Sequence, residues 1–201
     1  MIDMERNALI VFVRNPDPGK VKTRLAASVG DEAALAIYLE LLQITRQVAL
    51  SVEAERYLWY SHFIDEGDKW PSSDFTKKLQ QGDDLGSRMA FAFSESLKDH
   101  DKAVIIGSDC PYLTPALIEE GFDALDDHDF VIGPATDGGY YLLGMRQFVP
   151  EIFQDIQWST DSVCGETIRK IGQAGARYHL LPVRTDIDEI EDWRAYRGMF
   201  N

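Results

Sequence analysis

Apolar and polar positions follow two alternating periods along the chain. Asn7 to Arg14 reads Asn-Ala-Leu-Ile-Val-Phe-Val-Arg, a continuous apolar run. Such a run fits a strand buried on both faces. It ends at Asn15-Pro16-Asp17-Pro18-Gly19, which predicts a loop. From Asp31 to about Val52 the apolar positions fall near a period of 3.6. Ala34, Ile37, Tyr38, Leu41, Leu42, Thr45, Val48 and Ala49 share one side, with Asp31 as the predicted N-cap. Arg56 to Ser61 predicts a second strand, and Asp65 to Ser73 a polar loop. Leu85 to Leu97 predicts a helix with Met89, Phe93 and Leu97 on one face. A third buried strand is Ala103 to Gly107. Thr114 to Leu125 follows as a helix, with Thr114 as N-cap and Pro115 in the first turn. Strands at Phe130 to Gly133 and Gly139 to Met145 come next. Ser159 to about Ala174 then predicts a helix, Tyr178 to Val183 a sixth strand, and Glu189 to Met199 a final helix.

Strands alternating with helices predict βαβ units, an α/β fold and a mostly parallel sheet. The 201 residues fit one domain, and no internal repeat or low-complexity segment divides them. In such sheets ligands bind at the carboxyl ends of the strands. The polar loops after strands are therefore the places to look for chemistry.

Charge narrows the partners. Twenty Lys and Arg against 34 Asp and Glu give a net charge of −14. That balance argues against nucleic acid, which demands a basic face, and against an anionic membrane surface. No apolar run approaches the length of a membrane span, and Met1 to Asn7 lacks the core of a signal peptide. The expected location is the cytoplasm. Cys110 and Cys164 lie far apart and out of metal spacing, so they are expected to be two reduced, partly buried thiols. The four histidines form no i, i+4 pair, so a zinc site of the usual kind is not expected.

Four loops carry candidate chemistry. Residues 14 to 24 gather Arg14, Lys20, Lys22 and Arg24 around Gly19, with Asp17 the single acid. Exposed N–H groups plus these cations could cradle phosphate oxygens, although the same charges could form a solvated basic turn. The spacing is neither Walker-type nor Gly-x-Gly-x-x-Gly. Gly107-Ser108-Asp109-Cys110-Pro111 follows the third strand, where Asp109 could hold a divalent ion or cap the turn. Asp186 and Asp188 lie two apart after the last strand and, if extended, face one way. Glu191 and Asp192, by contrast, suit the start of the final helix. Asp137-Gly138-Gly139-Tyr140 sits between two strands and reads either as a ligand-approach loop or as a tight hairpin turn. Asp84 reads as an N-cap, and Phe91, Phe93 and Trp158 read as core.

Taken together the motifs resemble a known family. They are Pro16-Asp-Pro-Gly-Lys-Val-Lys-Thr-Arg-Leu25, Gln81-Gly-Asp-Asp-Leu-Gly-Ser-Arg-Met89, Gly107-Ser-Asp-Cys-Pro111, Gly133-Pro-Ala-Thr-Asp-Gly-Gly-Tyr-Tyr-Leu-Leu-Gly144, Trp158-Ser-Thr160 and Asp186-Ile-Asp188. The chain resembles the glycosyltransferase-like "transferase 1, rSAM/selenodomain-associated" family of the nucleotide-diphospho-sugar transferase (GT-A) superfamily. That family is similar to the phospholactate and molybdenum-cofactor guanylyltransferases. The resemblance implies a three-layer α/β/α fold with a mixed, mostly parallel central sheet. It implies a Mg²⁺- or Mn²⁺-dependent transferase joining a nucleotide to a small phosphorylated acceptor with release of pyrophosphate.

In that reading Arg14, Gly19, Lys20, Lys22 and Arg24 bind the nucleotide of a triphosphate. Lys22, Arg24 and Asp109 are catalytic, and Asp109, Asp186 and Asp188 hold the metal. Asp137, Gly138, Gly139 and Tyr140 meet the acceptor. A glycosyltransferase using a nucleotide-sugar donor is the alternative, and a non-enzymatic nucleotide-binding protein a lesser one. Where the broader signature has paired glycines after the first strand, this chain has Arg14-Asn15-Pro16.

Overall fold

The computed structural model describes residues 6–199. Seven strands form one sheet: β1 (Asn7–Val13), β2 (Glu55–Tyr60), β3 (Thr76–Leu79), β4 (Lys102–Ile106), β5 (Phe130–Pro134), β6 (Tyr140–Met145) and β7 (Tyr178–Leu180). Their order is β3-β2-β1-β4-β6-β5-β7. Every neighbouring pair is parallel except those made by β6, which runs antiparallel to both β4 and β5. The predicted mixed α/β sheet is therefore the observed one.

The side chains of each strand divide between two layers with the period of two that the pleat imposes. From β1, Leu9, Val11 and Val13 enter an upper layer, while Ala8 and Ile10 enter a lower one. From β4, Val104 and Ile106 go up, and Ala103 and Ile105 go down. Helices α2 (Asp31–Leu50) and α4 (Pro115–Asp127) close the upper layer with Tyr38, Leu42, Leu117, Ile118, Phe122 and Leu125. Helices α3 (Leu85–Ser96) and α5 (Val163–Gln173) close the lower layer with Met89, Ala92, Phe93, Cys164 and Ile171. Phe93 is buried there, and Phe91 and Trp158 pack against the same layer, as their reading as core predicts. By length and a mean hydropathy of 1.2, α2 could cross a membrane. In the fold its apolar face is taken up by the sheet.

Several predicted boundaries move. The basic segment leads into a further helix, α1 (Thr23–Val29), which the sequence pattern did not reveal. Only Leu25 is buried along it, so no apolar stripe announces it. Gly30, not Asp31, caps α2, and Asp31 opens the first turn, where its charge suits the helix dipole. Strand β3 was also hidden, because its Thr-Lys-Lys-Leu sequence carries two lysines on the sheet edge. A short 3-10 turn, Pro150–Phe153, precedes α5, which starts four residues later than predicted because Ser159 takes a left-handed φ of 64°. Strand β7 is three residues long. The last helix, α6 (Ile190–Gly198), starts behind Glu189 as N-cap. Asp84 does cap α3, and Ser87 returns the bond in a capping box.

Chain direction reverses across the middle of the sheet. From β1 the chain steps outward to β2 and β3, then returns to place β4 on the other side of β1. The loops after β1 and β4 therefore flank a crevice at the carboxyl ends of the strands, where α/β sheets receive ligands.

Candidate active site

Lys22 is the centre of that crevice. The loop Arg14–Val21 brings it there, anchored by Val21, which is buried. The side chain of Lys22 is 6% exposed, whereas that of Arg24 is 71% exposed. The Lys22 ammonium lies 2.9 Å from Asp109 Oδ1 on the β4 loop and 3.4 Å from Asp188 Oδ1 after β7. It also donates to the Ile187 carbonyl at 2.6 Å. Arg24 approaches the other oxygen of Asp188 at 3.5 Å. The Ile187 N–H donates to the Asp109 carbonyl at 2.9 Å, so the two acidic loops are also joined through their backbones.

Asp186, Ile187 and Asp188 alternate as an extended segment must. Ile187 is buried, and the carboxylates on either side turn the other way. Asp186 Oδ1 is enclosed and lacks a hydrogen-bond partner. Burial, and then the charges of Asp109, Asp137 and Asp188, push its carboxyl up to about 7, with Lys22 opposing. Burial, followed by Asp186, raises the neighbouring Cys110 thiol to about 12. Both cysteines are buried and free, as expected, and neither is poised as a thiolate nucleophile. Asp192 accepts from the N–H groups of Asp188 and Glu189 at 3.1 and 2.8 Å, completing a capping box with Glu189. The helical role predicted for Glu191 and Asp192 is the observed one.

Beside this cluster opens a cleft of about 220 Å³ lined by Arg24, Thr136, Asp137, Thr185, Asp186, Asp188, Glu189 and Asp192. Thr136, Thr185 and Glu189 flank the motifs and were not singled out from the sequence. A larger and more open hollow of about 430 Å³ lies along α4 and β7. It contains none of the sequence-predicted residues, so the smaller cleft is the one joined to the chemistry.

The Asp137–Gly139 segment is the hairpin turn between β5 and β6. Because β6 is reversed, this turn stands on the same edge as the loops after β1 and β4. Asp137 Oδ1 accepts from the Gly139 N–H at 2.9 Å, and the Gly138 carbonyl accepts from the Cys164 N–H at 2.9 Å. Gly138 has φ +89°, and a Cβ there would lie 2.0 Å from the Asp161 carbonyl oxygen. Only glycine fits that position. Gly19 likewise has φ +72°, which shapes the basic loop.

The structure brings Lys22, Arg24, Asp109, Asp137, Asp186 and Asp188 together and leaves three predicted residues outside. Tyr140 turns into the lower core layer, its hydroxyl 4.0 Å from the Met89 sulfur, so its side chain does not face the cleft. Arg14 is exposed, and its backbone N–H and carbonyl both bond the Tyr38 hydroxyl. Lys20 is exposed and pairs with Asp17 at 3.4 Å. Of the predicted metal ligands, Asp109 and Asp188 meet through the Lys22 ammonium, with Asp186 beside them. Among the described residues no three acidic, histidine or cysteine side chains converge as a ligand group. The physical reason is that the Lys22 ammonium occupies the point between Asp109 and Asp188.

A further residue was missed. Asn15 is buried, and its amide oxygen accepts from the N–H groups of His62 and Phe63 at 3.0 and 3.3 Å, while its nitrogen donates to the Phe63 carbonyl at 2.9 Å. It fastens the loop after β1 to the loop after β2.

Comparison with known proteins agrees with this architecture. A Desulfovibrio desulfuricans G20 protein, provisionally described as a nucleotide-diphospho-sugar transferase, is 34% identical with a TM-score of 0.85, over 93% of this chain and 84% of that one. CMP:2-keto-3-deoxy-manno-octonic acid synthetase complexed with CTP shares the fold at 12% identity and a TM-score of 0.61, over 97% and 98% of the two chains. Rv0371c of Mycobacterium tuberculosis H37Rv, in complex with manganese, shares it at 14% identity and a TM-score of 0.54, over 95% and 97%. No curated protein sequence matches. The family profile that does match spans residues 43–160, from the middle of α2 to the turn before α5, and therefore takes in Asp109 and the Asp137 hairpin. The chain belongs to that family, described as "Uncharacterized protein conserved in bacteria (DUF2064)".

Proposed function

We propose that the protein is a divalent-metal-dependent nucleotidyltransferase that joins a nucleotide to a small phosphorylated acceptor and releases pyrophosphate. The observation that carries this reading is the meeting of the basic β1 loop with two carboxylate loops at the sheet's crevice, through Lys22, Asp109 and Asp188. Phosphoryl-type transfer asks a protein mainly for positioning and for charge stabilisation, and those are the groups present. Two further facts support it. The 34% identical relative is described in terms of nucleotide-diphospho-sugar chemistry, and a fold neighbour holds CTP.

The residues also fit a divalent ion. Asp109, Asp186 and Asp188 offer hard carboxylate oxygens, and the enclosed Oδ1 of Asp186 has no protein partner. The cleft is itself too acidic for a polyphosphate, since Asp137, Asp186, Asp188, Glu189 and Asp192 line it with Arg24 as the single basic residue of that lining. An added cation removes that conflict. When bound, the ion supplies Lewis-acid stabilisation of phosphate charge. Magnesium and manganese both suit such oxygens, and a fold neighbour is seen with manganese.

Lys22 and Arg24 neutralise the triphosphate and orient it. An acceptor phosphate oxygen forms the new bond to the α-phosphorus as the bond to the β-bridging oxygen breaks, and the leaving group is pyrophosphate. No side chain need take a proton, because an acceptor phosphate is already ionised near neutral pH. The hairpin at Asp137, Gly138 and Gly139 forms the acceptor-side wall. The finer resemblance to the rSAM/selenodomain-associated transferases and a cytoplasmic location belong to this same reading.

The test is pyrophosphate release from each nucleoside triphosphate with Mg²⁺ or Mn²⁺ and a panel of phosphorylated small acceptors. One triphosphate–acceptor pair should release pyrophosphate, and Asp109→Asn should abolish it. A second reading, sugar transfer from a nucleotide-sugar, is favoured by the description of the 34% identical relative. Slow hydrolysis of one nucleotide-sugar, with silence toward every triphosphate, would establish that reading and sink the first.

A further inference from the structure

Lys22 adopts φ 49° and ψ 47°, the left-handed region, at the N-cap of α1. A residue with a side chain is strained there. Buried Val21 and Leu25 on either side fix the backbone, and the side chain is almost wholly enclosed. Its ammonium donates to the Ile187 carbonyl and to Asp188 Oδ1 and forms an ion pair with Asp109 Oδ1. Two carboxylate oxygens and a carbonyl are also what a hard divalent cation seeks. Lys22 therefore stands where the ion of the proposed reaction would gain two of its charged ligands.

We propose that Lys22 is a built-in competitor for the divalent ion. In the nucleotide-free protein its ammonium holds Asp109 and Asp188 together and keeps the ion's affinity low. A polyphosphate offers the ammonium a replacement anion, so the carboxylates pass to the ion as the nucleotide arrives. Metal and nucleotide then bind with positive coupling, and each raises the affinity for the other by the same factor. Arg24 cannot play this part, because it is exposed and reaches only the outer oxygen of Asp188. The inference rests on the metal-binding part of the proposed function and adds the group that gates it.

The test uses Mn²⁺ alone on the full, chelator-treated chain, with free Mn²⁺ followed by electron paramagnetic resonance. Lys22→Met should bind Mn²⁺ about tenfold or more tightly than the parent protein, within the usual range of coupling. Lys20→Met removes the same charge from an exposed residue of the same loop and should change affinity by less than about threefold, as surface pairs do. Adding Asp188→Asn to Lys22→Met should erase the gain.

A second measurement needs no variant at Lys22. Reductive methylation of the parent protein, read by peptide mass spectrometry, should label Lys22 faster as Mn²⁺ saturates. If Lys22→Met binds Mn²⁺ no more tightly than Lys20→Met, or if Mn²⁺ binds while Lys22 labelling stays unchanged, the competition is overturned. In either case the metal reading stands. If Mn²⁺ binds to neither the parent nor Lys22→Met, the metal reading itself falls and takes this inference with it.

Discussion

Asp186→Asn should flatten the pH dependence of folding stability in the metal-free protein. Asp186 titrates near 7 in the folded chain because burial, and then Asp109, Asp137 and Asp188, disfavour its charge. Unfolded, an aspartate titrates near about 3.9. Below that value both states hold the proton and the site imposes no penalty. Between the two values the native state keeps a proton that the unfolded chain has lost, so stability falls as pH rises. Above about 7 the loss is complete. Three units at 1.36 kcal/mol each set a ceiling of about 4 kcal/mol. Partial exposure and sharing of charge among the carboxylates reduce this to about 2 kcal/mol.

Asparagine imitates the protonated form at every pH. The two proteins should therefore match below about pH 4 and diverge by pH 8, with the variant the more stable. At a urea slope of about 2 kcal/mol per molar, the unfolding midpoints should separate by about 1 M. The assay is urea unfolding followed by tryptophan fluorescence across that range, with chelator present. Asp137→Asn should shrink the separation, since it removes one of the three negative charges acting on Asp186. A midpoint difference that stays constant with pH would refute the account of Asp186 as a carboxyl kept neutral by its surroundings.

Three other substitutions probe the walls of the site. Gly138→Ala should lower stability by about 3 kcal/mol, or a fall in Tm of roughly 6–12 °C, from left-handed strain plus a clash with the Asp161 carbonyl. Gly139→Ala, whose Cβ would approach nothing closer than the Asp137 carboxylate at 3.2 Å, should be milder, and equal melting of the two variants would show that the turn relaxes freely. Asn15→Ala strands the N–H groups of His62 and Phe63 and should cost about 2 kcal/mol. Amide hydrogen exchange should rise at His62 and Phe63, and unchanged exchange there would remove Asn15 as the fastener between the two loops.

The strands that form the centre of the sheet were legible because both of their faces are buried. Such segments read as unbroken apolar runs, as β1 and β4 do. Strand β3 escaped because what justifies it is tertiary. Lys78 lies over the rings of Tyr57 and Trp59 at 4.9 and 5.3 Å, and no local pattern announces that contact. The candidate residues were found by their place after strands, but not their pairing. Lys22 was read as a phosphate ligand and Asp109 and Asp188 as metal ligands, whereas the fold joins all three in one ion cluster. Tyr140 was drawn in by its neighbouring glycines. Strand alternation sends it to the lower layer and Tyr141 to the upper, a choice that depends on which face each residue meets. Asn15 was overlooked because its partners lie 47 and 48 positions away.

The bond from Lys22 to the Ile187 carbonyl spans 165 positions of sequence. A chain made from its N-terminus has Lys22 and Asp109 available well before residues 186–188 exist. Contacts of such long range are also slow to close in refolding. The sheet's inner strands can therefore be complete while the site is still unmade, and Lys22 spends that interval with a single carboxylate partner. Closure of the ion cluster is thus among the last events in folding. A nascent or partly unfolded chain has the architecture without the ion cluster.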